Sequence, residues 1–486
     1  MAVFQVQPDC SSEWPDPQRP SKDFCDFIHG NIQVFYPINL LIDRKELQRL
    51  RHIKQMGVCN YVYHSATNDR FGHSMGAYHL AYLFATTLKA NYGKNLNITS
   101  QDILCVSIGG LYHDTGHGAF SHLFEEVFPG RSHEDISVEI VHRVFNVDYI
   151  REAFTPYFGE GEQYERNVTF IAELIEPPKK LFDDQGNWLM KGRTADKGFL
   201  YEIVSNPLTG LDVDKFDYIL RDSATCGCSI AFSLVDVNRI RGNLQVFADE
   251  EHPGHNRLCY NKKIVESIRM VGESRQTLHS KIYRHKTVTI VNEMMVRVIK
   301  KAGNFKVLDK QLKNVKESLE AYLRLDDSII NEIHRSTDEE FKECRELLDK
   351  LERRLFPKFL VSYNISPATV TKMERLHCVG PNAPRKLKTW IESQLPAGAI
   401  VLERDINRGD RSQNPLKKVF FYDTRNKNLK PYKLTDEEVL LNNPIYGAYH
   451  DFCVYADYDV QEEQQNAIRA KFMEIEQEIK ALGTSD

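Results

Sequence analysis

A chain of 486 residues, 42% hydrophobic and 27% charged, can bury a large core in one large or two modest domains. Its formal net charge of -5 argues against a general polyanion binder, although local basic patches stay open. Ten scattered cysteines without paired CxxC motifs argue against a zinc ribbon and fit reduced thiols of cytosol or nucleus; no signal peptide or long apolar span points to secretion or a membrane.

Residues 1–21 carry Pro8, Pro15, Pro17 and Pro20 among polar neighbours and read as a disordered lead-in. Phe24 to Pro37 reads as a short extended segment around His29-Gly30. Leu47, Leu50, Ile53 and Met56 recur at helical spacing, predicting a helix over Arg44 to Met56 with Gln48, Arg49, Arg51 and Gln55 on its polar face. A turn at Tyr61 to Asn68 leads to a helix from Ser74 to about Ala90. Thr99-Ser100-Gln101-Asp102 is a helix start, and that helix runs to His113-Asp114. Ser132 to Asp135 resembles a capping box opening a helix to about Phe145.

Asn167 to Ile175 and Phe199 to Ser205 are shorter helix candidates, and Asp214, Asp217 and Tyr218 share a helical face. Lys262 to about Lys301 reads as one long helix, basic near Arg275 to Lys286, and Leu312 to Leu355 as helical with breaks. Beyond Pro357, Ile400 to Arg404, Val419 to Asp423 and Phe452 to Ala456 read as strands, and Asp459 to Leu482 as a polar helix. The expected fold is mainly α: a disordered segment at 1–21, a helical body at 22–300, and a smaller mixed α+β region at 301–486.

The chemistry concentrates at Gly110-Leu111-Tyr112-His113-Asp114-Thr115-Gly116-His117-Gly118. Imidazole and carboxylate together suit Fe, Mn, Zn or Co better than Ca or Mg alone. His73, the pair His113-Asp114 and an acid near Asp214 lie on different predicted helices, as ligands of bundle metal sites do. Two imidazoles and two carboxylates leave positions open for water and substrate, which marks a catalytic rather than a structural site.

These residues form the H…HD…D pattern of the HD-domain phosphohydrolases. Arg70-Phe71-Gly72-His73-Ser74, His113 to His122 and Asp212 to Tyr218 resemble its dNTP triphosphohydrolase branch. Phe199 to Asn206, and Leu278-His279 through Tyr283 to Lys286, resemble animal members that carry a sterile-alpha-motif domain ahead of the HD domain. The match runs from about Lys22 to Phe356, and residues 1–21 leave no room for that extra domain.

The resemblance implies hydrolysis of dNTPs to deoxynucleoside and inorganic triphosphate, and control of cellular dNTP pools. It implies a transition metal (Fe, Zn or Mn) at His73, His113, Asp114 and Asp214, with Mg on the nucleotide phosphates. His117 and His133, the latter oriented by Glu134, would move protons. Arg70, His122, Lys215 and Arg275 would hold phosphates. Gln55, Tyr218 and Asp222 would contact the sugar, Tyr283 would wall off a 2′-hydroxyl, and His279 completes the substrate set.

The resemblance also implies activation by GTP or dGTP at one allosteric site and a dNTP at a neighbouring one, in a homotetramer built as a dimer of dimers. Asp43, Gln48 and Arg51 would read guanine; Lys22, Arg239, Lys263 and one of Arg353 or Arg354 match other allosteric positions. Asn261 and Cys25 depart from the residues often found there. The implied location is intracellular, in nucleus or cytoplasm. Competing readings are another HD-type nucleotide phosphohydrolase, or a protein that binds single-stranded nucleic acid through the basic stretch at Arg275 to Lys286, for which salt-dependent binding would speak.

Overall fold

The computed structural model describes residues 13–178, 180–378, 386–409, 414–426, 429–442 and 448–483. Its spine is the helix Arg70–Leu96. The Asp69 side chain caps it by accepting from the Gly72 amide, and Asn97 ends it in the left-handed conformation at φ 48°. Beside it runs Ser100–Tyr112, opened by a capping box between Thr99 and Asp102 and buried from Asp102 onward. Gly110 lets the two helices touch: a Cβ there would stand 2.8 Å from the Ala77 carbonyl oxygen. His73 and His113 therefore face each other across a narrow gap. Val213–Cys226, capped by Asp212, packs on the spine and brings a third element to the same place.

A hairpin of Ser21–Asp26 and Gly30–Phe35 lies against the N-terminal half of this bundle. One apolar core runs from Trp14 to Leu351 and takes in Leu416, Val419, Phe421, Leu434 and Val439. A four-stranded sheet ordered Tyr432–Lys433, Phe420–Tyr422, Asn256–Asn261, Leu244–Ala248 explains that reach, because late strands complete an early hairpin. A second core fills the space between a three-stranded antiparallel sheet (Lys358–Ile365, Tyr449–Ala456, Ala399–Ile406) and the helices Pro367–His377, Leu387–Gln394 and Glu462–Gly483. The molecule is thus mainly α, with a smaller mixed region towards its C-terminus.

Three expectations from the sequence need correction. The helix over Arg44 to Met56 lasts only Lys45–Gln48, tightens to a 3-10 turn over Arg49–His52, and then opens. Its apolar residues stay buried, but backbone groups at 53 to 55 leave the helical pattern to pair with the chain at 68 to 70: Arg70 N with Ile53 O at 3.0 Å, and Gln55 N with Asn68 O at 2.9 Å. The single helix over Lys262 to Lys301 is broken. Val265–Leu278 runs into a π turn at His279–Tyr283, and Lys286–Lys301 starts afresh. Single π turns of this kind recur at functional sites. The lead-in is packed where it is described: Trp14 is buried, sets its ring edge-on to Phe35 and Tyr82, and donates to the Tyr36 carbonyl at 2.9 Å. Residues 1–12 lie outside the described residues.

Candidate active site

Four side chains converge where the three helices meet. His73 Nε2 stands 3.1 Å from both His113 Nε2 and Asp214 Oδ1, and 3.4 Å from Asp114 Oδ2. His113 Nε2 is 3.4 Å from Asp114 Oδ1 and 3.5 Å from Asp214 Oδ1. Two imidazole nitrogens crowded nose to nose among carboxylate oxygens gain nothing from one another; they share a centre.

The second nitrogen of each ring fixes which atom faces that centre. His73 Nδ1 meets Asp217 Oδ2 at 2.7 Å, and His113 Nδ1 meets the Gly110 carbonyl at 2.9 Å. Each Nδ1–H is thereby held in donation and each Nε2 lone pair points inward, the usual arrangement behind metal-binding histidines. Burial works against a charge on His73, yet Asp214, Asp217 and Asp114 outweigh it and raise its pKa to about 10. Burial likewise opposes the Asp214 carboxylate, and His113 and His73 hold it far below the usual range. A cluster that drives its imidazoles to keep protons is short of positive charge, and a divalent ion on these donors supplies it. The donor set fits a transition metal.

Beside the centre lies a second group of rings. His117 Nε2 is 3.3 Å from Asp114 Oδ1, and its ring stacks on His133 with centroids 3.7 Å apart. His117 Nδ1 is buried without a hydrogen-bond partner among the described residues. Burial and then the charges of Arg70 and His133 keep His117 well below the ordinary histidine value. His133 Nδ1 sits 2.8 Å from Glu125 Oε1, while its Nε2 is 3.2 Å from Glu134 Oε1. Glu125, absent from the sequence reading, also accepts from the His133 amide at 2.6 Å. His122 stands edge-on to both His117 and His133.

Arg70 is buried in the first turn of the spine, not on the surface. Its guanidinium spans Asp114 Oδ2 and the Ser121 hydroxyl, the latter at 2.8 Å. Tyr218 sets its ring edge towards His73, centroids 6.5 Å apart. Asp222 accepts from the Tyr283 hydroxyl at 2.6 Å and from Asn68 Nδ2 at 2.8 Å, and His279 stacks edge-on to Tyr283 at 5.0 Å. The π turn is what swings His279 and Tyr283 to this side. Gln55 joins the group through its backbone bond to Asn68, and its Oε1 is buried without a partner among the described residues. Lys215 and Arg275 line one concavity with Gly210, Arg408 and Gly409. Lys215 Nζ is 3.1 Å from Asp212, and Arg275 donates to the Asn407 carbonyl at 2.9 Å and side chain at 3.0 Å.

The expected guanine-reading residues meet elsewhere. Lys22, Asp43, Gln48 and Arg51 line an open concavity with Asp23, Phe24 and Ile42. Lys22 Nζ pairs with Asp43 at 2.5 Å, Arg51 donates to Gln48 Oε1 at 2.9 Å, and the Arg51 guanidinium lies 3.6 Å from the Phe71 ring centroid. Within one chain the other allosteric candidates do not line it. Arg239 is exposed on Leu234–Gly242, and Lys263 lines a separate hollow with Asn261, Asp423 and Arg425. Arg353 and Arg354 are exposed after Lys342–Glu352, with Arg354 donating to the Tyr61 carbonyl at 2.7 Å.

Sequence reasoning left Asp217, Arg221, Glu125 and His29 without roles. Asp217 and Arg221 carried a readable signal, the three- and four-residue steps after Asp214 that put all three on adjoining turns. His29 and Glu125 reach their partners only through tertiary packing.

A family model described as HD domain matches residues 70–178. The chain is 33% identical over 434 residues to the deoxynucleoside triphosphate triphosphohydrolase SAMHD1 of Gallus gallus, an alignment covering 86% of this chain and 69% of that relative. Identity to the Danio rerio enzyme of the same name is 32% over 436 residues, covering 87% and 68%. The Dictyostelium discoideum homolog is 28% identical over 427 residues, covering 87% of this chain and 74% of its own length.

Proposed function

The chain belongs to the HD-domain deoxynucleoside triphosphate triphosphohydrolases, and from that premise we propose that it cleaves dNTPs to deoxynucleoside and inorganic triphosphate. The convergence of His73, His113, Asp114 and Asp214 on one centre, beside the stacked His117 and His133, carries this reading. His73, His113, Asp114 and Asp214 would hold a divalent ion (Fe, Zn or Mn), which would supply positive charge for phosphate and water, with Mg accompanying the phosphates.

In this reading water attacks the α-phosphorus, the bond to the 5′-oxygen breaks, and that oxygen takes a proton and leaves on the deoxynucleoside. His117, kept neutral by its surroundings, sits closest to the donor set, takes a proton from the attacking water and passes it to that oxygen; His133 and its acids Glu125 and Glu134 hold it in place. Arg70, His122, Lys215 and Arg275 meet the triphosphate charge. Gln55, Tyr218 and Asp222 receive the sugar, and His279 and Tyr283 close its far side, where an added 2′-hydroxyl would collide.

Regulation is part of the proposal. A carboxylate accepts both N–H groups of a guanine edge, so Asp43 with Gln48, Arg51 and Lys22 would select GTP or dGTP. Arg239, Lys263, Arg353 and Arg354 do not line that concavity in one chain, which suits sites completed across subunits of a tetramer, with residues 301–486 serving assembly and a dNTP as second activator. Such an enzyme lowers cellular dNTP pools, in nucleus or cytoplasm. Among the described residues no helix is long and apolar enough to cross a membrane.

The test is product analysis. Purified protein, dATP, Mg and Mn are combined with and without GTP, and products are separated by ion exchange. Deoxyadenosine with intact triphosphate, released only with GTP, is the expected result. The same products without GTP remove the regulatory claim, orthophosphate favours another HD phosphohydrolase, and no hydrolysis under any metal favours a nucleic-acid-binding role.

A further inference from the structure

We propose that His29 is a positioning residue of the metal centre, acting through Asp217 on the orientation of His73. This rests on His73 being a metal ligand.

His29 lies in the turn of the N-terminal hairpin, far in sequence from the helices that carry the donors. Asp26 closes that turn by accepting from the amides of Ile28 and His29, each at 2.9 Å. The imidazole then dives inward, its side chain 1% exposed, and Nε2 meets Asp217 Oδ1 at 2.7 Å. The other oxygen of the same carboxylate holds His73 Nδ1, also at 2.7 Å. Arg221 completes the shell: Nε and Nη2 donate to Asp217 at 2.9 and 3.0 Å, and Nη1 ties back to Asp26 at 2.8 Å.

The carboxylate fits because the spine has no side chain at Gly76. A Cβ there would stand 1.8 Å from Asp217 Oδ1. Asp217 is thus an acceptor with both oxygens engaged, and His29 is the donor on Oδ1 besides Arg221. A buried carboxylate that loses a donor turns towards those that remain. Here Arg221 would draw it from His73, freeing that ring to rotate. Carboxylates behind ligating histidines fix tautomer and angle, and disturbing them weakens metal binding.

The experiment uses the full chain, stripped of metal with a chelator and titrated with Co²⁺ while its visible absorption is recorded. His29→Phe fills the space without a donor, and His29→Gln places an amide N–H near the position of Nε2. His29→Phe is expected to weaken Co²⁺ binding by about ten- to a hundredfold, with His29→Gln restoring most of it. Equal affinity in wild type and His29→Phe overturns the proposal. If His29→Phe does not fold by circular dichroism, His29→Asn, too short to reach Asp217, takes its place, and affinity equal to that of the Gln variant again overturns it. A His73→Ala control separates the two readings: wild-type affinity in that variant sinks the metal assignment itself, while lost affinity there with none lost at His29 sinks only this proposal.

Discussion

The catalytic cluster and the Lys22–Arg51 concavity are both charged, and they are built in opposite ways. In the cluster Arg70 and Asp217 are buried and tied to fixed partners: Arg70 to Asp114 and Ser121, Asp217 to Arg221, His29 and His73. In the concavity the main pair, Lys22 with Asp43, is exposed at 42% and 61%. Exposed pairs of that kind contribute little and exchange readily for an incoming ligand. Preorganised charge suits chemistry, where reorganisation raises the barrier. Loosely paired charge suits a sensor that must accept and release a nucleotide.

The sharpest way to break this contrast lies inside the cluster. His117→Ala should lower kcat for triphosphate release by about 100- to 10,000-fold while leaving the thermal melt near wild type. A small loss would remove His117 from proton transfer. Asp217→Ala should cost about 3–5 kcal/mol of folding stability in denaturant titration, because the buried Arg221 guanidinium loses the acceptor of its Nε and Nη2 and keeps only Asp26.

A smaller effect is expected in the concavity. Asp43→Asn should raise the GTP concentration needed for activation about tenfold or more, from a charged hydrogen bond of about 1.5–3 kcal/mol, with no change in the melt. A stability loss there would contradict its sensor-like build.

A pH-dependent effect sets one buried carboxylate against another. Asp217 is held ionised by its donors, whereas burial pushes Glu202 up to about 7 against the weaker pull of Arg257, and its Oε2 has no partner among the described residues. A carboxyl raised in the folded state keeps a proton that the unfolded chain has lost. Glu202 therefore favours folding below about pH 4.5, and that contribution falls as pH rises to about 7, then stays lost. The melt should weaken across that window by at most about 1.4 kcal/mol per pH unit, and Glu202→Gln should flatten it.

Much of the fold was legible because its signals are local. The capping residues Thr99 and Ser132 mark their helices, and the period of the apolar residues marks the strands after Pro357. The breaks were not. Nothing local says that Gln55 pairs with Asn68, or that Tyr283 must reach Asp222 and so requires a π turn. The donors could be read from motifs on three helices, since a motif records which residue types the chemistry needs. The shell behind them could not, because His29 meets Asp217 only once a hairpin distant in sequence folds against the bundle.

The central claim is cleavage between the α-phosphorus and the 5′-oxygen. The direct measurement is hydrolysis of dGTP in ¹⁸O-labelled water, with mass spectrometry of both products. One labelled oxygen in the triphosphate and none in the deoxynucleoside is the predicted result. Label on the 5′-hydroxyl, or release of orthophosphate in place of triphosphate, would contradict the account.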